Sequence, residues 1–402
     1  MEIIQGKVAS AISYAKVIED EAREQIRRMC DYSLTEGSRI RIMPDVHAGK
    51  GCTIGTTMTI TDKICPNLVG VDIGCGMLTS KLANKKIDLT RLDEACHAIP
   101  SGFNVWPERK KRFDLQMLRC YRQLRDTKRL ERSLGTLGGG NHFIELDRGF
   151  RDEYYLVIHS GSRNLGKQVA EYYQSLAIEL HQGKEKYLKA REELIREYKE
   201  QDRRDEIQEA LKSLTWQKHK SEIPDDLAYL YGEYMQDYLH DIVICQVFSH
   251  ESRQLMADII CEKCGYEVDE RFATVHNYIS VNEMILRKGA ISAQKNEKVL
   301  IPMNMRDGCI IGIGKGVEEW NYSAPHGAGR LMSRKAAREN LSMEEYKKTM
   351  EENGIYSTSV NEATLDEAPM AYKKVDDILE DIRETVDILE IIKPVYNFKA
   401  SG

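Results

Sequence analysis

Six short segments, scattered between residues 45 and 330 of a 402-residue chain, each set a histidine or cysteine beside glycines, acids or amides. They are Asp45-Val46-His47, Asp72-Ile73-Gly74-Cys75-Gly76, Asn141-His142, His159-Ser160-Gly161-Ser162-Arg163, His276-Asn277-Tyr278 and His326-Gly327-Ala328-Gly329-Arg330. A histidine at a strand end beside a turn suits ligation or catalysis, because the strand fixes the backbone and the loop opens the site. One such histidine is usually structural, but five of the chain's ten lie in these places, which points to a metal site. If the segments act together, the fold must bring both ends and the middle of the chain to one place. No internal repeat or low-complexity linker separates them. The simplest architecture is therefore one α+β domain over residues 1–402, with a helical insertion at about 167–264.

The pattern along the chain supports that order. Thr53 to Ile60 alternates as a strand, and Asn67 to Gly74 is an apolar run entering a glycine loop. Trp106 to Arg132 is basic and reads as helical, with Arg119, Arg122, Arg129 and Arg132 along one broad face. Residues 104 to 132 carry ten Lys or Arg against four Asp or Glu, which suits either a phosphate-tracking surface or a solvated helix. Leu134 to Leu165 holds Gly138-Gly139-Gly140 and the strand Tyr154 to Ile158. Lys167 to Cys264 reads as helical, and its charged centre, Lys184 to Lys212, as a solvated hairpin. Strand-like sequence returns from Thr274 to Gly316, followed by helices that end in a long amphipathic one near Asp376 to Ile391.

Composition removes several classes. Apolar residues at 42% supply a sizeable core and charged residues at 30% are too few for disorder. A net charge of −6 argues against a protein that coats nucleic acid indiscriminately, though not against a local basic face. No run of about 18 apolar residues predicts a membrane span. Met1-Glu2-Ile3-Ile4-Gln5 does not resemble a secretory signal, so the expectation is a cytoplasmic protein whose ten cysteines are reduced.

Asp72 and Cys75 form the sharpest pair, two ligand types three residues apart across a glycine turn. They can touch one ion, or the thiolate can bridge two. Mixed Asp, Cys and His ligation suits Zn, Mn, Fe or Co better than Mg or Ca. Other signals fail on one residue each. Gly161 to Lys167 nearly spells a phosphate-binding loop, but Gln168 stands where the Mg²⁺-binding hydroxyl belongs. Cys261-Glu262-Lys263-Cys264 has no second pair to complete a zinc site. The only Asp-Gly pair, Asp307-Gly308, lacks the lysine that a Lys-x-Asp-Gly nucleophile requires.

Together with Met43-Pro44-Asp45-Val46-His47, Gly70-Val71-Asp72-Ile73-Gly74-Cys75-Gly76, Leu137-Gly138-Gly139-Gly140-Asn141-His142-Phe143-Ile144-Glu145, Arg287-Lys288-Gly289-Ala290 and the tail from Ala371-Tyr372-Lys373 to Lys399, these segments resemble the RtcB family of RNA-splicing ligases. The motifs stand in the family's order over about residues 40 to 400. The resemblance implies a fold of mixed and antiparallel sheets around a two-metal site that takes Mn²⁺. Cys75 would bridge both ions, with His142 and His159 completing one and Asp72 and His276 the other. His326 matches the nucleophile that attacks the α-phosphate of GTP to give a histidine–GMP intermediate. Asn141, Glu145, Ala328, Gly329, Tyr372 and Lys399 match positions that hold the guanylate. Arg163, Lys288, Arg330 and Arg334 match basic residues near the phosphates, and Asp45 an acid by the reacting centre. Arg330 and Arg334 are read as sharing the first turns of one helix. The implied substrates are RNA with a 3′-phosphate or 2′,3′-cyclic phosphate and RNA with a 5′-hydroxyl, with an archease-like activator as a further partner. An imidazole fits this chemistry because its neutral nitrogen is already nucleophilic at neutral pH, whereas a lysine must first lose a proton.

The sequence also departs from the family. Asn304, in Pro302-Met303-Asn304-Met305, takes the place of a serine that contacts the nucleotide, so nucleotide contacts are expected to differ. Ser323-Ala324-Pro325 replaces a Ser-Thr-Cys stretch before the nucleophile. These changes imply a divergent branch, read here as RNA repair rather than routine tRNA splicing. Two rivals stay open at this level: a two-metal phosphoesterase acting on cyclic phosphate ends without GTP, and a non-catalytic scaffold for RNA ends.

Overall fold

The computed structural model describes residues 1–399. Two sheets carry the molecule. In the larger, seven strands follow the order Val268–Val275, Gly76–Leu82, Tyr154–Ser160, Phe143–Arg148, Val386–Lys399, Gly308–Gly314 and Lys298–Asn304, every neighbour antiparallel. In the smaller, six strands run Glu2–Gln5, Ser10–Ser13, Ile40–His47, Ile54–Thr59, Ile285–Lys288 and Asn277–Ser280. The smaller sheet is mixed, because Ser10–Ser13 pairs in parallel with Ile40–His47. The sheets are as expected: mixed and antiparallel.

Alternation sets the faces of the larger sheet. Ile144, Leu146, Leu156 and Ile158 point to one side and pack on Met256, Ala257 and Ile260 of the helix Gly232–Cys264. Phe143, Tyr155 and Val157 point to the other and meet Leu300, Ile311 and Ile392. The 33-residue helix spans about 50 Å at 1.5 Å per residue. Its first half enters a second core with Ile26, Phe248 and Leu165, so it ties two cores together. The helix Arg163–Glu179 precedes it, and Glu185–Glu200 buries no residue, as its balanced charge predicts.

Three expectations fail locally. Trp106 to Arg132 is not one helix but two 3₁₀ turns, Leu115–Met117 and Tyr121–Gln123, and the short helix Thr127–Arg132. Aspartates take its backbone amides instead: Asp114 accepts from Gln116, Asp126 from Arg129, and buried Asp241 from Arg119 and Cys120. The four arginines therefore do not share a helical face. Asp376 to Ile391 is likewise broken, the helix stopping at Arg383 and a 14-residue strand running from Val386 to Lys399. Val386, Ile388, Ile391 and Ile392 are β-branched and lie in the half of the strand that pairs with Gly308–Gly314, while Lys393 to Lys399 pairs with Phe143–Arg148. Arg330, finally, precedes its helix, which starts at Arg334 behind a Ser333 cap that accepts from Ala336.

All ten cysteines are buried and unpaired. No helix among the described residues is long and apolar enough to cross a membrane.

Ile392 lies fully buried at the centre of the sheet. Ile392→Ala is expected to cost about 2–5 kcal/mol, read as a lower urea midpoint with unchanged slope.

Candidate active site

The sheets meet at His276. It sits between Val268–Val275 of the larger sheet and Asn277–Ser280 of the smaller, and its amide donates to the Cys75 carbonyl at 2.9 Å. Cys75 immediately precedes Gly76–Leu82, and His159 lies on the neighbouring strand. The result is two overlapping triads, Cys75/His159/His276 and Asp72/Cys75/His142, with the ligating atoms of each within 4.8 Å of one another. Cys75 Sγ is 3.2 Å from His159 Nε2 and 3.5 Å from His142 Nε2. His159 Nε2 is 3.0 Å from His276 Nε2, and His142 Nε2 is 2.9 Å from Asp72 Oδ2.

The proton count calls for a cation. His142 Nδ1 donates to the Leu137 carbonyl at 2.9 Å and His159 Nδ1 to the Asn141 carbonyl at 3.1 Å, which leaves both Nε2 atoms as lone pairs. Burial drives His159 and His276 well below the ordinary histidine range, so neither imidazole carries charge. Burial and the Asp72 charge push the Cys75 thiol well up, so only a bound cation would make it a thiolate. Soft sulfur, imidazole and one carboxylate fit a borderline transition ion in each triad.

The shell behind the ligands is specific. Arg253, fully buried on the long helix, sends Nη1 to the Gly74 carbonyl at 2.8 Å and the Ser160 carbonyl at 2.6 Å. One guanidinium thus clamps the loop that bears Asp72 and Cys75 to the strand that bears His159. Ser249, one turn earlier, holds the Ile73 carbonyl at 3.0 Å. Two glycines are obligatory. A side chain at Gly161 would fall on the Asp72 carboxylate, and one at Gly138, where φ is +89°, on His142 and Arg163.

Two cavities flank the ligands. The first, about 300 Å³, is lined by His159, His276 and His326 together with Asn141, Glu145, Lys288, Asn304, Ala328, Gly329, Arg330, Arg334, Tyr372 and Lys399. His326 follows the strand Ser323–Pro325, and its Nδ1 lies 2.7 Å from Oδ2 of the buried Asp45. Asp45 only accepts, so Nδ1 carries the proton and Nε2 is free. The second cavity, about 440 Å³, is lined by Asp72, His142, Arg163, Arg129, Lys167 and Phe103 among others. Of the expected residues, then, Arg163, Asp72 and His142 lie apart from the His326 cavity, and Cys75 belongs to both triads.

Several expected contacts are taken by the protein itself. Lys288 Nζ donates to the carbonyls of Lys50, Cys52 and Asn67. Asn304 spends its amide on its own turn, accepting from the Arg306 and Asp307 amides and donating to Asp307 Oδ2. Lys399 is buried, not frayed, and meets Glu367 at 2.8 Å. Glu367 also accepts from Tyr372 Oη at 2.7 Å and faces Arg334 at 2.9 Å and Arg330 at 3.2 Å. Burial alone would raise its carboxyl, but Lys399 and Arg334 outweigh burial and hold it at about 2. Sequence reasoning passed over Glu367 and Arg253. Glu367 has no motif, whereas Arg253 falls on the apolar stripe with Met256, Ala257 and Ile260, which is a readable sign of a buried charge.

Arg253→Met, of similar length, is expected to weaken Mn²⁺ binding about 10–100-fold by calorimetric titration, the usual cost of losing an outer partner. Glu367→Gln strands the buried Lys399 ammonium and is expected to cost about 3 kcal/mol in denaturant unfolding at neutral pH. The Glu367 carboxyl is depressed from 4.5 to about 2, so its contribution is complete above pH 4.5 and is lost as pH falls to about 2. The gap between the two proteins should close over that window.

The comparisons agree with this geometry. The family model described as tRNA-splicing ligase RtcB matches residues 29–123 and 117–400. The chain is 29% identical to the RNA-splicing ligase RtcB of Escherichia coli (strain K12), covering 95% of each protein. It is 27% identical to the tRNA-splicing ligase RtcB of Aeropyrum pernix, covering 84% of this chain and 83% of that one. With the Entamoeba histolytica RNA-splicing ligase RtcB homolog 1 the identity is 24% over 86% of this chain. With matches across nearly its whole length, the chain belongs to the RtcB family.

Proposed function

We propose that this chain is an RNA ligase that uses GTP to join a 3′-phosphate or 2′,3′-cyclic phosphate end to a 5′-hydroxyl end, in RNA repair or tRNA splicing. The observation that carries this reading is His326, whose Nδ1 is held by a buried carboxylate while Nε2 is left free in a cavity lined with cations. In the first step the Nε2 lone pair attacks the α-phosphorus of GTP, the bond to the bridging oxygen breaks, and pyrophosphate leaves. The Asp45 carboxylate stabilises the charge that develops on the imidazole. GMP then passes from Nε2 to an oxygen of the RNA 3′-phosphate. The 5′-hydroxyl oxygen attacks the phosphorus of that activated 3′-phosphate, its proton passes to solvent, GMP leaves, and the phosphodiester is formed. A 2′,3′-cyclic end enters the same sequence after water has broken one ring P–O bond to give the 3′-phosphate.

The triads Cys75/His159/His276 and Asp72/Cys75/His142 would hold two Mn²⁺ ions, which supply Lewis acidity toward phosphate oxygens when bound. The chain's own residues do the rest. Arg330, Arg334 and Lys399 offset phosphate charge, while Glu145, Tyr372 and the Ala328-Gly329 backbone line the nucleotide's space. Lys288 lines the same cavity, its ammonium held at the floor by three carbonyls on the phosphate side. In-line displacement needs the attacking hydroxyl opposite the departing GMP. The second cavity, with Arg129, Arg163 and Lys167, lies on the Asp72–His142 side and fits the 5′-hydroxyl strand. We place the reaction in the cytoplasm, with an archease-like protein as the partner that renews the enzyme.

Incubation with α-³²P-labelled GTP and Mn²⁺ should label the wild-type chain, and His326→Ala should abolish the label together with ligation. Cleavage of cyclic phosphate ends by His326→Ala without GTP would favour the phosphoesterase instead.

A further inference from the structure

Beneath the His326 cavity, Glu145, which lines it, meets two buried groups that the reaction does not use. Glu145, Asp147 and Cys309 bring an oxygen or sulfur each within 4.8 Å of the others. Glu145 and Asp147 are two apart on the strand Phe143–Arg148, so they share a face, opposite Val157 and Tyr155 of the next strand. That face is the apolar one formed by Phe143, Val157, Leu300 and Ile392.

Asp147 is fully buried, and neither of its oxygens meets a donor. Three neighbouring donors point elsewhere. Lys393 Nζ donates to the Asp307 carbonyl at 3.1 Å, Lys399 Nζ to Glu367, and Tyr155 Oη to Glu390 at 2.9 Å. Glu145, by contrast, has donors: Asn397 Nδ2 at 2.6 Å and the Cys309 thiol at 3.6 Å. Two ionised carboxylates side by side in apolar surroundings are strongly disfavoured by desolvation and mutual repulsion. Sharing one proton removes that cost, and the partner already supplied with donors keeps the charge. Burial and the Glu145 charge push the Asp147 carboxyl well up, in the same direction.

We propose that Asp147 is a neutral carboxylic acid whose O–H donates to Glu145, and that it is the positioning residue which fixes the Glu145 carboxylate against the nucleobase in the His326 cavity. This rests on the GTP reading above. A carboxylate that only accepts suits guanine, which offers a ring N–H beside an exocyclic amine, and disfavours adenine, whose ring nitrogen there is itself an acceptor. Asp147 thus acts on base selectivity through Glu145 without touching the nucleotide.

Two variants separate this role from packing. Asp147→Asn keeps an N–H donor toward Glu145, and Asp147→Leu fills the same space with none. In label transfer from α-³²P-labelled GTP, Asp147→Leu should raise the GTP KM about tenfold with kcat little changed, and should narrow the preference over ATP. Asp147→Asn should stay within about twofold of wild type, the amide replacing the acid as donor. Equal KM values for Asp147→Leu and wild type, or equal damage from both variants, would overturn the proposal. A second measurement needs no nucleotide: isotope-edited infrared spectra at neutral pH should show a protonated carboxyl band that vanishes in Asp147→Asn. Absence of that band overturns the acid pair even where GTP labels the chain. A band in a wild-type chain that GTP cannot label overturns the role at the nucleobase and the GTP reading together.

Discussion

Three imidazoles, a thiol and a carboxylate gathered where the sheets meet are what the rest of the molecule is built around. His142 and His159 each spend their N–H on a backbone carbonyl, so their other nitrogens, with that of His276, face Cys75 and Asp72 as acceptors. Such a cluster is unfavourable until a cation fills it, and the surrounding fold must hold it open against relaxation. Arg253 does much of this. Its guanidinium grips the two backbone segments that carry Asp72, Cys75 and His159, and it is the buried positive charge behind the cysteine. The helix that carries Arg253 is anchored in two cores, which makes the clamp as rigid as the molecule itself.

The nucleotide side is ordered by a different force. There the organiser is a single buried anion, Glu367, with Lys399, Arg334, Arg330 and Tyr372 arranged around it. These cations are thus fixed in place by the protein itself, so an anionic ligand would meet them already oriented. Cys75 stands between this cavity and the second one, and the ligands divide accordingly, His159 and His276 toward one and Asp72 and His142 toward the other.

Much of this was legible in the residues. Glycine-flanked histidines and the Asp72–Cys75 spacing carry their own chemistry, and the structure brings their ligating atoms together. Long helices were readable where apolar spacing was strong, as in Gly232–Cys264. Legibility failed where distant partners decide. Val386 to Ile391 continues a helical apolar pattern, and only its pairing with the distant strand Gly308–Gly314 makes it extended. The basic stretch before Arg132 lost its helix to Asp241, an acid over a hundred positions away along the chain. Glu367 and Asp147 belong to no motif, although Asp147 stands two residues after Glu145, and their meaning comes from what surrounds them. Lys288 and Asn304 were found at the expected cavity but with their polar groups already engaged, which spacing cannot reveal.

The place of the strand Val386–Lys399 has a consequence for biosynthesis. It is inserted between Phe143–Arg148 and Gly308–Gly314, so both of those edges stay unpaired until some two hundred and forty further residues beyond the first have been translated. An open sheet with two apolar margins invites wrong pairing, and closing it requires contacts far apart in sequence, which are slow to form. The lysine that completes the nucleotide side rides on the same late strand. A ribosome-bound chain can therefore gather the cysteine and histidine side chains first, while the wall of the His326 cavity that Lys399 supplies appears only once this strand has been made and has closed the sheet.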